Sequence, residues 1–219
     1  MTADTSSQEV TKIGSYFSNI SHVFVEEYNK NGLKKHTKIF LDYFSNIGIN
    51  GLTVLELGCG IGGLLFHMLD MGAKEVYGID LSDTMVKNAQ NLSKSLGFEA
   101  KTTFVKGDFT SDAKKLLSIE RADIVIADRV MCCSPVPLEI LDRMISYDPK
   151  YLLIVQPRKN ILYRALFRLR VKLRQLRLKV KSHNVQIPYM GIKEYDKRCE
   201  DSGFKRVLQK FRYSWEIIV

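Results

Sequence analysis

Apolar and polar residues follow two rhythms along this chain, and the changes of rhythm mark its elements. Residues 1–10 are polar and are expected to be loose. From about Ile13 to Phe44 apolar residues recur three and four positions apart, which predicts helix, and Asn31-Gly32 divides that stretch into two helices. Asn50-Gly51 then marks a turn before Thr53–Leu57, a short apolar run that reads as a buried strand. Residues 62–71 predict a helix ending at Gly72, and Val76–Asp80 a second strand. Ser82 is placed to cap a helix over 83–96, stopped by Gly97. Thr102–Lys106 reads as a third strand, 111–118 as helix and Asp123–Ala127 as a fourth strand. Pro137–Ser146 reads as helix and Tyr151–Gln156 as a fifth strand, stopped by Pro157. After an extended piece (Asn184–Tyr189), a helix over Ile192–Ser202 ends at Gly203, and strands near Lys205–Lys210 and Tyr213–Val219 close the chain. Strands alternating with helices imply an α/β fold with a mostly parallel sheet. The final pair leaves no room for a crossover helix and must be antiparallel.

The chemistry concentrates where strands end. Glu56-Leu57-Gly58-Cys59-Gly60-Ile61-Gly62-Gly63 lies between the first strand and its helix, where a doubly wound sheet takes a nucleotide-like ligand. Glycines there let the backbone turn sharply and let a ligand approach without meeting a Cβ. Gly58, Gly60 and Gly63 formally satisfy the dinucleotide G-x-G-x-x-G, so a nicotinamide reductase is one reading. Asp80, closing the second strand, can accept both hydroxyls of a ribose. Glu56 suits a ligand with a positive amine near the loop and not a pyrophosphate. Gly107-Asp108-Phe109 ends the third strand with an acid and an aromatic, on which an adenine could be held and stacked.

The runs VLELGCGIGG, GIDLS and GDFT, at these intervals, resemble the class I S-adenosylmethionine-dependent methyltransferases over roughly Leu52 to Pro157 plus the closing strand pair. The resemblance implies a Rossmann-like, seven-stranded, mostly parallel sheet with an antiparallel C-terminal strand pair and helices on both faces. It implies one domain over 1–219, with 1–50 as a helical cap and 158–190 as a basic helical insertion near the substrate mouth. It implies S-adenosyl-L-methionine as cofactor, with Glu56 near the methionyl amine and Gly58, Cys59, Gly60 and Gly62 along the methionyl and ribose side. Asp80 would hold the ribose, Asp108 and Phe109 the adenine, and Leu81, Met85, Gly107, Asp128 and Arg129 complete the candidate set.

Asp128-Arg129-Val130-Met131-Cys132-Cys133-Ser134-Pro135 follows the fourth strand, whose carboxyl end should face the cleft. The Asn/Asp-Pro-Pro-aromatic tetrad of enzymes that methylate base amino groups is missing, and the two-glutamate hairpin of protein arginine methyltransferases is not apparent. The D-R-V-x-C-C-x-P run is similar to small-molecule methyltransferases near magnesium-protoporphyrin O-methyltransferase. Four cysteines (Cys59, Cys132, Cys133, Cys199) lack disulfide-framework and zinc-ligand spacing, so no metal is expected and the adjacent pair reads as packing beside the cleft. Asp128 and His183 are the candidates for a general base, needed only for a neutral hydroxyl or a carbon acid. His22, His36 and His67 carry no usable spacing.

Charge changes the picture in one place. The 219 residues hold 33 Lys/Arg and 24 Asp/Glu, and ten of the cations with no acid lie between Arg158 and Lys181. The rest is close to neutral. Within that segment Leu162, Leu166, Leu169, Leu173, Leu176 and Val180 form one apolar stripe at helical spacing. Such a helix fits the core with its cations in solvent, or an anionic membrane surface. Leucines without interleaved aromatics give no base-stacking platform, so nucleic acid is not the expected partner. No apolar run reaches 18 residues and the first residues do not form a signal peptide, so the expected location is cytoplasmic, peripheral to the membrane if the stripe meets lipid. The reading is methyl transfer to a small lipophilic acceptor. The alternatives are an RNA methyltransferase tracking phosphates along 158–181 and a non-catalytic cofactor-binding subunit.

Overall fold

The computed structural model describes residues 3–111, 113–157, 169, 172–173, 192–212 and 215–219. Seven strands form one sheet in the order β3-β2-β1-β4-β5-β7-β6. They are β1 (Thr53–Leu57), β2 (Glu75–Asp80), β3 (Thr102–Lys106), β4 (Ile124–Asp128), β5 (Tyr151–Pro157), β6 (Gln209–Arg212) and β7 (Trp215–Ile218). The first five are parallel, β7 runs antiparallel to β5, and β6 antiparallel to β7. The strand order reverses between β1 and β4, which opens a crevice at their carboxyl ends.

Alternation along the strands explains why helices cover both faces. Val54, Ile124, Ile126, Leu153 and Val155 point to one core, shared with Phe40 and Phe44 of α3 (Lys35–Ile47), Leu65 and Met68 of α4 (Gly63–Asp70) and Val86 and Ala89 of α5 (Asp83–Ser95). Leu55, Leu57, Val125, Ala127, Leu152 and Ile154 point to the other. There they meet Leu117 of α6 (Ala113–Leu117), Ile140, Leu141 and Met144 of α7 (Pro137–Ile145), and Tyr195 of α8 (Ile192–Asp201).

The N-terminal region corrects two expectations. Residues 3–10 are not loose: α1 runs Ala3–Asn19. No Gly or Pro interrupts 3–13, so nothing in the sequence breaks a helix there. The stretch 13–44 holds three helices and not two, because a second break falls at Ile20 before α2 (Ser21–Asn31). Ile20 leaves helical geometry (φ −108°, ψ 8°) and is 1% exposed, so burying its side chain sets the corner. The α1 and α2 helices pack on α5, over the end of the sheet where β2 terminates. Asn184–Tyr189 and nearly all of the basic segment lie outside the described residues.

Candidate cofactor site

The loop after β1 is built from glycines with three different reasons to be glycine. Gly58, Gly60 and Gly62 have φ of 73°, 54° and 76°, the left-handed region that side chains resist. A Cβ on Gly58 would lie 2.4 Å from Val130 Cγ2, and one on Gly62 would lie 2.8 Å from Phe104 Cζ. A Cβ on Gly60 would meet no atom within 4 Å. Gly58 and Gly62 are therefore bare for internal packing, whereas the bare face of Gly60 opens onto space.

Asp80 anchors this loop. Its Oδ2 accepts from Gly60 N–H and its Oδ1 from Ser82 N–H, both at 2.8 Å. The amides of Gly58 and Cys59 both donate to Ile79 O, at 2.8 and 3.1 Å. Burial raises the Asp80 carboxyl above its ordinary range, opposed by the amides of Ser82 and Gly60. Cys59 is buried against Gly78, where an added Cβ would lie 2.7 Å from its sulfur. Its thiol is pushed well up by burial, with Asp80 and Glu56 adding to the effect. Cys59 therefore remains a protonated packing residue.

Glu56 sits two residues before the loop, 4% exposed, and its Oε2 is buried with no hydrogen-bond partner among the described residues. Burial pushes its carboxyl well up, and Asp128 and Asp80 push the same way against Arg129. The Asp128 carboxylate, 9% exposed at the end of β4, is fully engaged. Arg129 Nε donates to Oδ1 at 2.9 Å, Thr37 Oγ1 donates to Oδ2 at 3.2 Å, and His36 Nε2 lies 3.6 Å from Oδ1. Burial would raise the Asp128 carboxyl, but Arg129 and His36 outweigh it and hold the group well below the usual carboxylate range. A carboxylate held in this way binds a proton weakly. Arg129 adopts φ 63°, and its amide donates to Val155 O at 3.0 Å, fixing the turn that follows β4.

A cavity of about 410 Å³ lies where α1 crosses the ends of β2 and β3. Leu81, Gly107 and Asp108 form one wall; Thr11, Gly14 and Ser15 of α1 form another. Gly14 permits the approach, since a Cβ there would lie 2.9 Å from Leu81 O. Ser18 Oγ and Ser82 Oγ pair at 2.8 Å, and Ser82 Oγ accepts Met85 N–H at 3.1 Å, capping α5 as expected. Asp108 Oδ1 accepts from Thr110 N–H and Oγ1 at 2.9 and 2.7 Å. Phe109 is 5% exposed and belongs to the core cluster with Leu55, Leu57 and Ile79. Met85 is buried at 1% exposure.

The structure thus gathers Glu56, the glycine loop and Asp80 around one crevice, with Asp128 and Arg129 close to Glu56. Leu81, Gly107 and Asp108 line the cavity beside it. His183 lies outside the described residues. Residues unmarked by the sequence also belong here: Thr11, Gly14 and Ser15 of α1, and His36 and Thr37 of α3. The signal for the last two was available, because His36 lies four residues before Phe40 and eight before Phe44 on the buried face of α3.

A methyltransferase domain family matches this chain over residues 49–209, nearly three quarters of its length. The chain belongs to the class I S-adenosylmethionine-dependent methyltransferases. The chain is 29% identical over 119 residues to protein arginine N-methyltransferase 1 of Chlamydomonas reinhardtii, across 54% of this chain and 33% of that protein. It is 27% identical over 117 residues to cycloartenol-C-24-methyltransferase 1 of Oryza sativa subsp. japonica, across 52% and 33%. The matched stretch spans about a third of the length of these curated relatives. The fold is shared with magnesium protoporphyrin IX methyltransferase from Synechocystis PCC 6803 with bound SAH. That match has a TM-score of 0.72 at 18% identity, over 95% of this chain and 97% of that one. No helix among the described residues of this methyltransferase is long and apolar enough to cross a membrane.

Proposed function

We propose that this chain transfers the methyl group of S-adenosylmethionine to an oxygen, nitrogen or carbon of a small lipophilic acceptor. The observation that carries the reading is the buried Glu56 Oε2, which has no hydrogen-bond partner among the described residues. An ionised buried carboxylate without a partner costs several kcal/mol, and a ligand ammonium group would supply that partner. In this reading Glu56 holds the methionyl amine, and the loop from Gly58 through Cys59 and Gly60 to Gly62 lies along the methionyl and ribose side. Gly60 contributes its bare face to the ligand. Each Asp80 oxygen keeps acceptor capacity beyond the amide it already binds, enough for two ribose hydroxyls.

Leu81, Gly107 and Asp108 receive the adenine under α1, with Met85 packed behind them. Phe109 supports that turn from the core. Arg129 and Asp128 border the methyl and acceptor side, where their mutual pairing and the bond from Thr37 hold the wall rigid. When bound, the cofactor supplies an electrophilic methyl carried by a good thioether leaving group. The contribution of the chain is to hold donor and acceptor in line.

Two relatives named for lipophilic acceptors, cycloartenol and magnesium protoporphyrin IX, support a small lipophilic substrate here. So does the basic segment. Leu169 and Leu173, two residues of its apolar stripe, are 53% and 56% exposed. That exposure favours the reading in which 158–181 rests on anionic lipid, the phase that would hold such an acceptor. The test is incubation with methyl-labelled S-adenosylmethionine and separate lipid, small-metabolite, RNA and protein fractions. Label in the organic-extractable fraction is expected; label confined to RNA or protein would overturn the acceptor class.

A further inference from the structure

The turn after β4 holds a pair of thiols that the reading above does not use. Cys132 and Cys133 lie in a single 3₁₀ turn, Met131–Cys133, with their sulfurs 3.7 Å apart. Both thiols also approach one carbonyl, Arg129 O, at 3.4 Å from Cys132 and 3.8 Å from Cys133. Cys132 is 4% exposed, whereas Cys133 is half-buried. Two sulfurs are therefore held side by side on a short, fixed stretch of backbone.

Geometry limits what such a pair can do. Neighbouring Cα atoms stand about 3.8 Å apart across a trans peptide, short of the roughly 4.4–6.8 Å that a relaxed disulfide needs. Closing the pair on itself is thus unfavourable. Zinc needs four ligands, and no group of three His, Cys, Asp or Glu side chains able to hold a metal occurs among the described residues. A centre satisfied by two adjacent sulfurs and one organic group meets neither obstacle. Trivalent arsenic and antimony are soft centres of this kind, matched to thiolate donors. The hydrogen bond from Cys132 lowers the Cys133 thiol below its ordinary range, and Arg129 acts in the same direction against burial. Attack would therefore begin at the more exposed sulfur.

We infer that Cys132 and Cys133 form a chelating site for trivalent, thiophilic arsenicals, and that filling it opposes cofactor binding. The chemistry is a condensation without redox change. R–As(OH)₂ and two thiols give R–As(S–Cys)₂ and two waters, each thiol proton leaving with one arsenic-bound hydroxyl. The opposition follows from position. Cys132 is too buried to be ligated in place, so the 3₁₀ turn must shift. Val130, directly before that turn, packs so closely on the glycine loop that a Cβ on Gly58 would lie 2.4 Å from Val130 Cγ2. This second half rests on the proposed cofactor site; the first does not.

The probe is phenylarsine oxide with the full chain. Intact-mass analysis should show one adduct, with two of the four thiols lost to a thiol reagent. The adduct should survive excess 2-mercaptoethanol and be removed by 2,3-dimercaptopropanol. Cys132→Ser and Cys133→Ala, each checked for native circular dichroism, should each lose that resistance to monothiol, while Cys199→Ser keeps it. Resistance that persists in either of the first two variants, or its absence in the wild type, overturns the site. Saturating S-adenosylhomocysteine, with binding confirmed separately by calorimetry, should slow adduct formation at least fivefold. An unchanged rate with the ligand demonstrably bound overturns the opposition alone. Failure of the ligand to bind overturns the cofactor assignment and, with it, the opposition.

Discussion

The amide of Gly60 donates to Asp80 Oδ2 at 2.8 Å, joining the open tip of the glycine loop to the last residue of β2. A residue twenty positions downstream thus sets the shape of the loop and, in the proposed reading, also receives the ligand. Ser82 N–H holds the other oxygen from the opposite side, so the carboxylate cannot rotate away.

Asp80→Ala should therefore weaken S-adenosylhomocysteine binding by about 2–3 kcal/mol, since charge-assisted hydrogen bonds are each worth about 1.5–3 kcal/mol. Isothermal titration calorimetry reads this directly. Unchanged affinity would remove Asp80 from the site.

The three loop glycines should separate by phenotype. Gly58→Val forces a side chain into Val130, so the variant should lose several kcal/mol of stability in urea denaturation. A Cβ at Gly60 has no neighbour within 4 Å among the described residues, so the stability cost of Gly60→Val should come mainly from the positive φ, roughly 1–2 kcal/mol. Its binding should nevertheless vanish, because the new branch stands where the ligand would lie. Global unfolding of Gly60→Val by circular dichroism would make that glycine structural.

Glu56 predicts a proton linkage. Burial, Asp128 and Asp80 raise its carboxyl in the free protein, so it retains its proton to a higher pH than an ordinary glutamate. A bound ammonium group would lower the same carboxyl, and binding would release a proton. Affinity should then rise with pH until the raised value in the free protein is passed. It should fall again at higher pH, as the ligand's own α-amino group loses its charge. Calorimetry in buffers of different ionisation enthalpy should detect the released proton in the wild type and none in Glu56→Gln.

Asp128 offers a test of the wall beside it. Its carboxyl is depressed in the folded state, so its contribution to stability is present above the ordinary carboxylate pKa and is lost as pH falls below it. Asp128→Asn removes the carboxylate that pairs with the largely covered Arg129 guanidinium, at a cost of about 3 kcal/mol near neutral pH. Urea titrations should show that the gap between variant and wild type narrows toward pH 3 or so. A constant gap would mean that the loss comes from packing.

Much of this architecture could be read from the chain because its signals are local. Thr53–Leu57 and Val76–Asp80 are apolar runs bounded by turn residues, and the predicted spans coincide with β1 and nearly with β2. The antiparallel finish was forced by the lack of room for a helix between β6 and β7. Relations that join distant residues were not legible. Thr37 reaches Asp128 across 91 positions, and no spacing rule links them. The closure of α1 over Leu81 depends on Gly14, which in sequence reads only as a weak point in a helix. Ile20 looks like one more member of an apolar stripe until its burial shows that the chain turns there.

The basic segment is where sequence carries an expectation furthest. Leu162, Leu166, Leu169, Leu173, Leu176 and Val180 recur at helical spacing in the sequence, among ten cations with no acid. Leu169 and Leu173 are more than half exposed, which is unfavourable for a stripe of leucines left in water. Anionic lipid would satisfy both halves of the pattern, with the leucines in the interface and the cations on headgroups. Each Lys or Arg near such a surface contributes about 1 kcal/mol, so four or five engaged cations give measurable attachment at physiological salt. The chain should therefore co-sediment with vesicles rich in anionic lipid and much less with neutral ones. Attachment should weaken toward about 1 M salt, where the Debye length shrinks to about 3 Å. Replacing Arg168, Lys172 and Arg177 with Gln should reduce attachment and leave S-adenosylhomocysteine affinity unchanged, because the candidate cofactor site draws on none of them. A wild type that stays in the supernatant at low salt would overturn the membrane reading.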